Sequence, residues 1–157
     1  DAARRQAQSW RVYRVVNAYH LFGHITQERI EPEFQTRSGD RWQAHDFHYK
    51  PGDPLRAPPF VAPHQPRVDF RLWFYGLAFE RGTPRYVANL LRQMCSDPET
   101  VAALFATQLP SHPEAVRIEF WRYHFTTRQQ RDATRAWWQR QSLGATPSTD
   151  CTRFKLD

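Results

Sequence analysis

Six of the chain's twelve prolines, Pro51, Pro54, Pro58, Pro59, Pro63 and Pro66, crowd into one stretch, residues 49–70. Each proline fixes its own φ and pushes the residue before it out of the helical region. A helix and a central strand are therefore both excluded there. Proline density alone suggests disorder, but disordered segments are poor in aromatic and large apolar residues. This one carries Tyr49, Leu55, Phe60, Val61 and Phe70, punctuated by Asp53, Arg56, Arg67 and Asp69. It reads as an ordered, extended loop pinned onto a folded domain. Asp53 can cap the turn after Gly52, Asp69 can cap the helix that follows, and Arg56 and Arg67 can grip carboxylates or loop carbonyls.

The sequence before the loop is strand-like. Residues 1–8 form a short polar helical start or a frayed end. Residues 10–16 are β-branched and aromatic, and 17–23 make a turn-rich connection. Over residues 25–35, Ile30, Pro32 and Phe34 alternate with Arg29, Glu31 and Glu33, which predicts a half-solvated strand. Pro32 makes it an edge strand or gives it a bulge. Residues 37–40, Arg-Ser-Gly-Asp, predict a hairpin turn, and 42–49 the return strand. After the loop, Phe70, Trp73, Phe74, Leu77 and Ala78 recur at helical spacing, so 68–80 reads as an amphipathic helix with Asp69 at its N-cap. Thr83 and Pro84 start a second helix, whose buried stripe is Val87, Leu90, Leu91 and Met94. Asp97 and Pro98 open a third, with Val101, Leu104 and Phe105 inside. Apolar residues on both faces of 116–126 predict a central strand. Residues 129–141 read as a helix containing Trp137 and Trp138, and the tail from Gly144 as polar and loosely specified.

The fold class that results is α+β: an antiparallel β-sheet of about four strands, a helical insertion, and the ordered Pro-rich connecting loop. At 157 residues the length suits a single domain, 1–157, with 1–9 and 145–157 peripheral. Aromatic residues make up 15% of the chain, so the core is expected to be built on rings. The formal net charge is +6, but the arginines are dispersed and no nucleic-acid-binding motif is present, so no nucleic-acid partner is expected. No apolar run approaches the roughly 20 residues of a membrane span.

Three constellations of reactive side chains occur. His45, Asp46, His48 and His64 suggest a metal site, yet residues three apart on a strand point to opposite faces, so ordinary histidines and no metal are the expectation. Asp53, His64 and Asp69 suggest a hydrolytic set, but no G-x-S-x-G elbow supplies a nucleophile. Cys95 and Cys151 can form one bridge or stay reduced; without a C-x-x-C pattern, thiol exchange is not indicated. No cofactor is called for. Trp42, Phe47, Tyr49, Phe60, Phe70, Trp73, Trp121 and Tyr123 are expected mostly in the core, and any exposed together would make a protein-binding face.

Longer patterns are specific. They are Val16-Asn17-Ala18-Tyr19-His20-Leu21-Phe22-Gly23-His24-Ile25-Thr26, then Asp46-Phe47-His48-Tyr49-Lys50-Pro51-Gly52-Asp53, then Arg56-Ala57-Pro58-Pro59-Phe60-Val61-Ala62-Pro63-His64-Gln65-Pro66-Arg67-Val68-Asp69-Phe70. With Phe120-Trp121-Arg122-Tyr123-His124-Phe125-Thr126-Thr127 and Trp137-Trp138, they resemble the C-terminal domain of the lipase maturation factor family over residues 10–144.

The resemblance implies a soluble domain of multi-pass membrane proteins that, in animals, sit in the endoplasmic reticulum and help secreted lipases reach an active state. It implies a non-enzymatic, chaperone-like role on the lumenal or extracytoplasmic side, with a client protein as partner. Asp53, Arg56, Phe60, His64, Arg67 and Asp69 become structural or client-binding residues. The transmembrane part is missing from this chain, which is read as a severed domain or one used alone. Two other readings remain: a docking subunit of a larger membrane-associated complex, and an uncharacterised hydrolase.

Overall fold

The structure, a computed structural model, describes residues 28–61, 63 and 65–154. The helical start, the strand at 10–16, the connection at 17–23 and His64 lie outside the described residues. Strands β1 (Arg29–Ser38) and β2 (Arg41–His45) form the expected hairpin, closed by Gly39 in a left-handed conformation. The Pro-rich loop leads into helix α1 (Arg67–Leu77) and a single 3-10 turn, Phe79–Arg81. Helices α2 (Arg85–Ser96) and α3 (Pro98–Ala102) follow. Then come strand β3 (Ala115–Phe125), helix α4 (Arg128–Thr134), and strands β4 (Trp138–Ala145) and β5 (Thr149–Asp150). A last 3-10 turn, Cys151–Phe154, ends the described chain.

The sheet is antiparallel with order β2-β1-β3-β4, and β5 pairs with the start of β3. Among the described residues it has five strands and four α-helices, an α+β arrangement as the sequence predicts. β3 is central, as its two apolar faces require. β2 pairs with residues 34–38 of β1, so around Pro32 the strand is hydrogen-bonded to β3 alone. That one-sided pairing tolerates the missing N–H.

One sheet face carries Ile30, Phe34, Val116, Ile118 and Phe120. Leu72 and Tyr75 of α1, Val87, Leu90 and Met94 of α2, and Val101 and Phe105 complete this core. Phe34, Phe47 and Phe105 meet as a ring trio with centroids 4.6–6.4 Å apart. Phe47 has left β2 and bridges to Phe105, which explains why the return strand is shorter than 42–49.

The opposite face of β1 is not half-solvated. Glu31, Glu33 and Gln35 are buried. Their polar groups are met within the fold: Arg140 Nη1 donates to Glu33 Oε2 at 2.7 Å, and Gln35 Nε2 donates to neighbouring Glu33 and to Glu119, 84 residues on. Alternation correctly marks a strand here, but not which face is wet.

Two C-terminal expectations are corrected. Residues 129–141 are half helix and half strand. Thr127 and Gln130 form a capping box at the start of α4, and Arg135 closes it at φ 60°, in the left-handed region. Trp138 then enters β4 beside Phe125, with the rings stacked 4.2 Å apart. The tail is not loose: β5 pairs with β3, and buried Cys151 is disulfide-bonded to Cys95 at the end of α2.

Candidate functional site

The loop is held by its own backbone. Asp53 Oδ1 accepts the N–H of Leu55 at 2.8 Å, a local turn bond. Arg56 donates to the carbonyls of Phe47, at 2.7 Å, and Lys50. The carbonyl of Arg56 accepts Trp138 Nε1–H at 3.0 Å, and that of Pro54 accepts the N–H of Trp137 at 2.8 Å, which ties the loop to β4. Tyr123 Oη–H donates to the Gly52 carbonyl at 2.9 Å. Gly52 sits close under the Asp46 carboxylate: a Cβ there would lie 2.1 Å from it, so a side chain would displace Asp46.

Beneath the loop three ionisable side chains are buried, Lys50 paired with Glu31 and within electrostatic range of Asp69. Glu31 of β1, Lys50 of the loop and Asp69 of α1 are only 2%, 3% and 2% exposed. Lys50 Nζ lies 2.5 Å from Glu31 Oε2, and Arg29 Nε donates to Glu31 Oε1 at 2.7 Å. Asp69 is not the helix N-cap; that position is Pro66. Its carboxylate instead turns inward, with Oδ1 buried and without a hydrogen-bond partner among the described residues. Burial pushes the Asp69 pKa up, against the opposing pull of Lys50, and burial pushes the Lys50 pKa down, against the pull of Glu31. This trio links sheet, loop and helix. Arg67, expected to pin the loop, is exposed on α1 and enters none of the ion pairs among the described residues.

Helix α1 is turned opposite to its apolar stripe. Asp69, Leu72, Tyr75 and Gly76 face inward, while Phe70, Phe74 and Leu77 are exposed. Gly76 dictates this: a Cβ there would lie 2.0 Å from the Ile30 carbonyl oxygen, so only glycine lets the helix rest on β1. The outward rings touch one another, Phe70 and Phe74 edge-on at 5.1 Å and Trp73 and Phe74 at 5.0 Å. Between α1 and residues 81–86 runs an open groove of about 590 Å³. Phe70, Phe74, Tyr75, Pro84 and Tyr86 supply its apolar lining, and Arg67, Arg71 and Arg81 its charges. Tyr86 Oη–H donates to the Arg71 carbonyl at 3.0 Å, and the Arg71 guanidinium sits 4.3 Å over the Tyr86 ring, which fixes one wall. Phe60, expected among the core aromatics, is 86% exposed on the loop.

The reactive constellations do not assemble. Asp53 is exposed and engaged locally, and Asp69 is buried beneath the loop. His48 is exposed, whereas His45 is buried, its Nε2 2.8 Å from Thr36 Oγ1 and its Nδ1 3.4 Å from Thr107 Oγ1. Among the described residues no three His, Cys, Asp or Glu side chains converge as metal ligands. Burial lowers the His45 pKa from 6.5 to about 4, with Asp46 opposing. The folded ring thus stays neutral over a range where the unfolded chain takes up a proton. The stability it contributes is complete above pH 6.5 and is lost as pH falls towards about 4, by roughly 3 kcal/mol. Urea melts across this window should show that loss, and His45→Gln should flatten it; parallel acid limbs would contradict it.

The comparisons with known proteins agree with one another. The family model for the lipase maturation factor C-terminal domain matches residues 15–147. Lipase maturation factor 2 of Gallus gallus is 34% identical over 144 residues, covering 83% of this chain and 20% of that protein. Lipase maturation factor 1 of Homo sapiens is 32% identical over 143 residues, covering 83% and 25%. The chain belongs to the lipase maturation factor family. It spans about a fifth to a quarter of the length of these relatives. No solved structure matches it. No helix among the described residues is long and apolar enough to cross a membrane.

Proposed function

We propose that this domain is a non-enzymatic, chaperone-like module that holds an incompletely folded client protein, with a secreted lipase as the client its relatives' names suggest. The observation that carries this reading is the outward aromatic stripe of α1. Exposed rings cost solvation unless a partner covers them, and contiguous apolar surface on a soluble domain marks a binding site. Packing fixes the stripe's direction, because Gly76 and Asp69 leave α1 no alternative face to bury. Phe60 offers an outlying apolar contact on the loop. The loop residues Asp53, Arg56 and Asp69 serve as scaffold in this reading.

The Cys95–Cys151 bond supports a lumenal or extracytoplasmic site of action, since such bonds persist in oxidising compartments. Membrane association would come from parts of a longer protein or from a partner.

The test is the refolding yield of a denatured secreted lipase with the domain present. Wild type should raise recovered activity, and Phe74→Asp, which alters an exposed side chain, should remove most of the gain while the melting temperature holds. An equal gain from both proteins would sink the reading.

A further inference from the structure

Resting on that reading, we infer that the groove between α1 and residues 81–86 selects one kind of client segment: an apolar stretch flanked by carboxylates. The groove's charged lining is of one sign. Arg67 and Arg71 stand one helical turn apart on α1, and Arg81 lies beyond the end of the helix. Among the described residues no carboxylate lines the groove, and none of the three arginines enters an ion pair. The closest arginine ion pairs, Arg29 to Glu31 and Arg140 to Glu33, each at 2.7 Å, lie on the sheet, away from the groove. Unpaired cations around an apolar floor are complementary to an anionic apolar ligand, and a guanidinium fork grips a carboxylate with two parallel hydrogen bonds.

The shape argues for a peptide. The groove is open rather than enclosed, and it runs beside α1, whose 11 residues span about 16 Å. An extended segment of about five residues covers that length. Phe70 and Phe74 would contact its apolar side chains, and the arginines its acidic flanks. Tyr86 holds the Arg71 wall in place before any ligand arrives.

Fluorescence anisotropy on the whole chain tests this with two labelled peptides of about a dozen residues. Both share a central Leu-Phe-Leu-Phe block; one has flanking Glu, the other flanking Lys. The acidic peptide should bind at least about tenfold more tightly, and added salt should narrow the gap. Arg67→Glu with Arg81→Glu should reverse the preference, with the circular dichroism spectrum unchanged. Equal binding of both peptides, lost in Phe74→Asp, would overturn the acidic preference and leave the client-binding reading standing. Failure of both peptides to bind would overturn this inference, while lipase refolding decides the broader reading independently. Two further outcomes also contradict it: tight binding to phosphatidylglycerol vesicles that the charge reversal abolishes, and self-association through the groove.

Discussion

Gly76→Ala should unfold or severely weaken the domain, although alanine is the best helix former. The intrinsic helical gain is about 1 kcal/mol. Against it stands a Cβ placed 2.0 Å from the Ile30 carbonyl oxygen, a contact with backbone rather than with a yielding side-chain tip. Relief requires α1 to lift from β1, pulling buried Leu72 and Tyr75 out of the core. The expected loss is about 3 kcal/mol or more, at the upper end of overpacking. Gly39 is the control: its φ is 61°, but a Cβ there meets nothing within 4 Å. Gly39→Ala should cost only about 1–2 kcal/mol of left-handed strain. Urea denaturation of the two variants checks this, and equal costs would mean that the close helix–strand approach is not what orients α1.

Lys50→Met carries the second large effect. Removing one partner of a buried ion pair typically costs about 3–5 kcal/mol, because the remaining charge stays buried and uncompensated. Glu31 loses its direct partner but keeps Arg29, while Asp69 loses the cation that opposes the effect of its burial. The pH dependence of the deficit follows. Asp69 has a folded pKa above its unfolded value, so its ionised form weakens the fold at neutral pH. That penalty lifts as pH falls through the folded pKa, and loss of Lys50 raises this pKa further. The gap between wild type and Lys50→Met should therefore narrow on mild acidification. Adding Asp69→Asn should recover part of the loss at neutral pH. A gap independent of pH, or strictly additive mutations, would show that Asp69 does not sense Lys50.

Much of this architecture can be read from the chain. Alternation marks β1, Arg-Ser-Gly-Asp marks its hairpin, Asp97-Pro98 starts α3, and the two-faced pattern of β3 marks a central strand. These are local signals, and local physics decides them. The errors share another cause. Glu31, Glu33 and Gln35 look solvated until Lys50, Arg140 and Glu119 are brought beside them by the fold. Residues 136–138 look helical until Arg135 turns left-handed and Trp138 stacks on Phe125.

The candidate site was legible in its residues but reversed in its sense. The spacing of Phe70, Trp73, Phe74 and Leu77 correctly gives a helix, and by habit assigns that stripe to the core. A buried carboxylate and a glycine at Asp69 and Gly76 choose the other face. Gly76 was the available signal: a glycine within an amphipathic helix costs stability unless something approaches closely. Of the loop residues that the sequence marks, Asp53 and Arg56 act locally, Asp69 joins the buried trio, and Arg67 lines the groove. The groove's other members, Arg71, Arg81 and Tyr86, had no distinguishing pattern, since the turn at Gly82 is what brings them together.

In the proposed function α1 presents its aromatic stripe to a client while the buried trio and Gly76 hold the helix in that orientation. Hydrogen–deuterium exchange of the domain, alone and with a reduced, unfolded secreted lipase, tests it most directly. New protection should be confined to residues 67–86 and the neighbouring loop around Phe60, with the sheet unchanged. Protection centred on the sheet strands, with α1 exchanging as in the free domain, would contradict it.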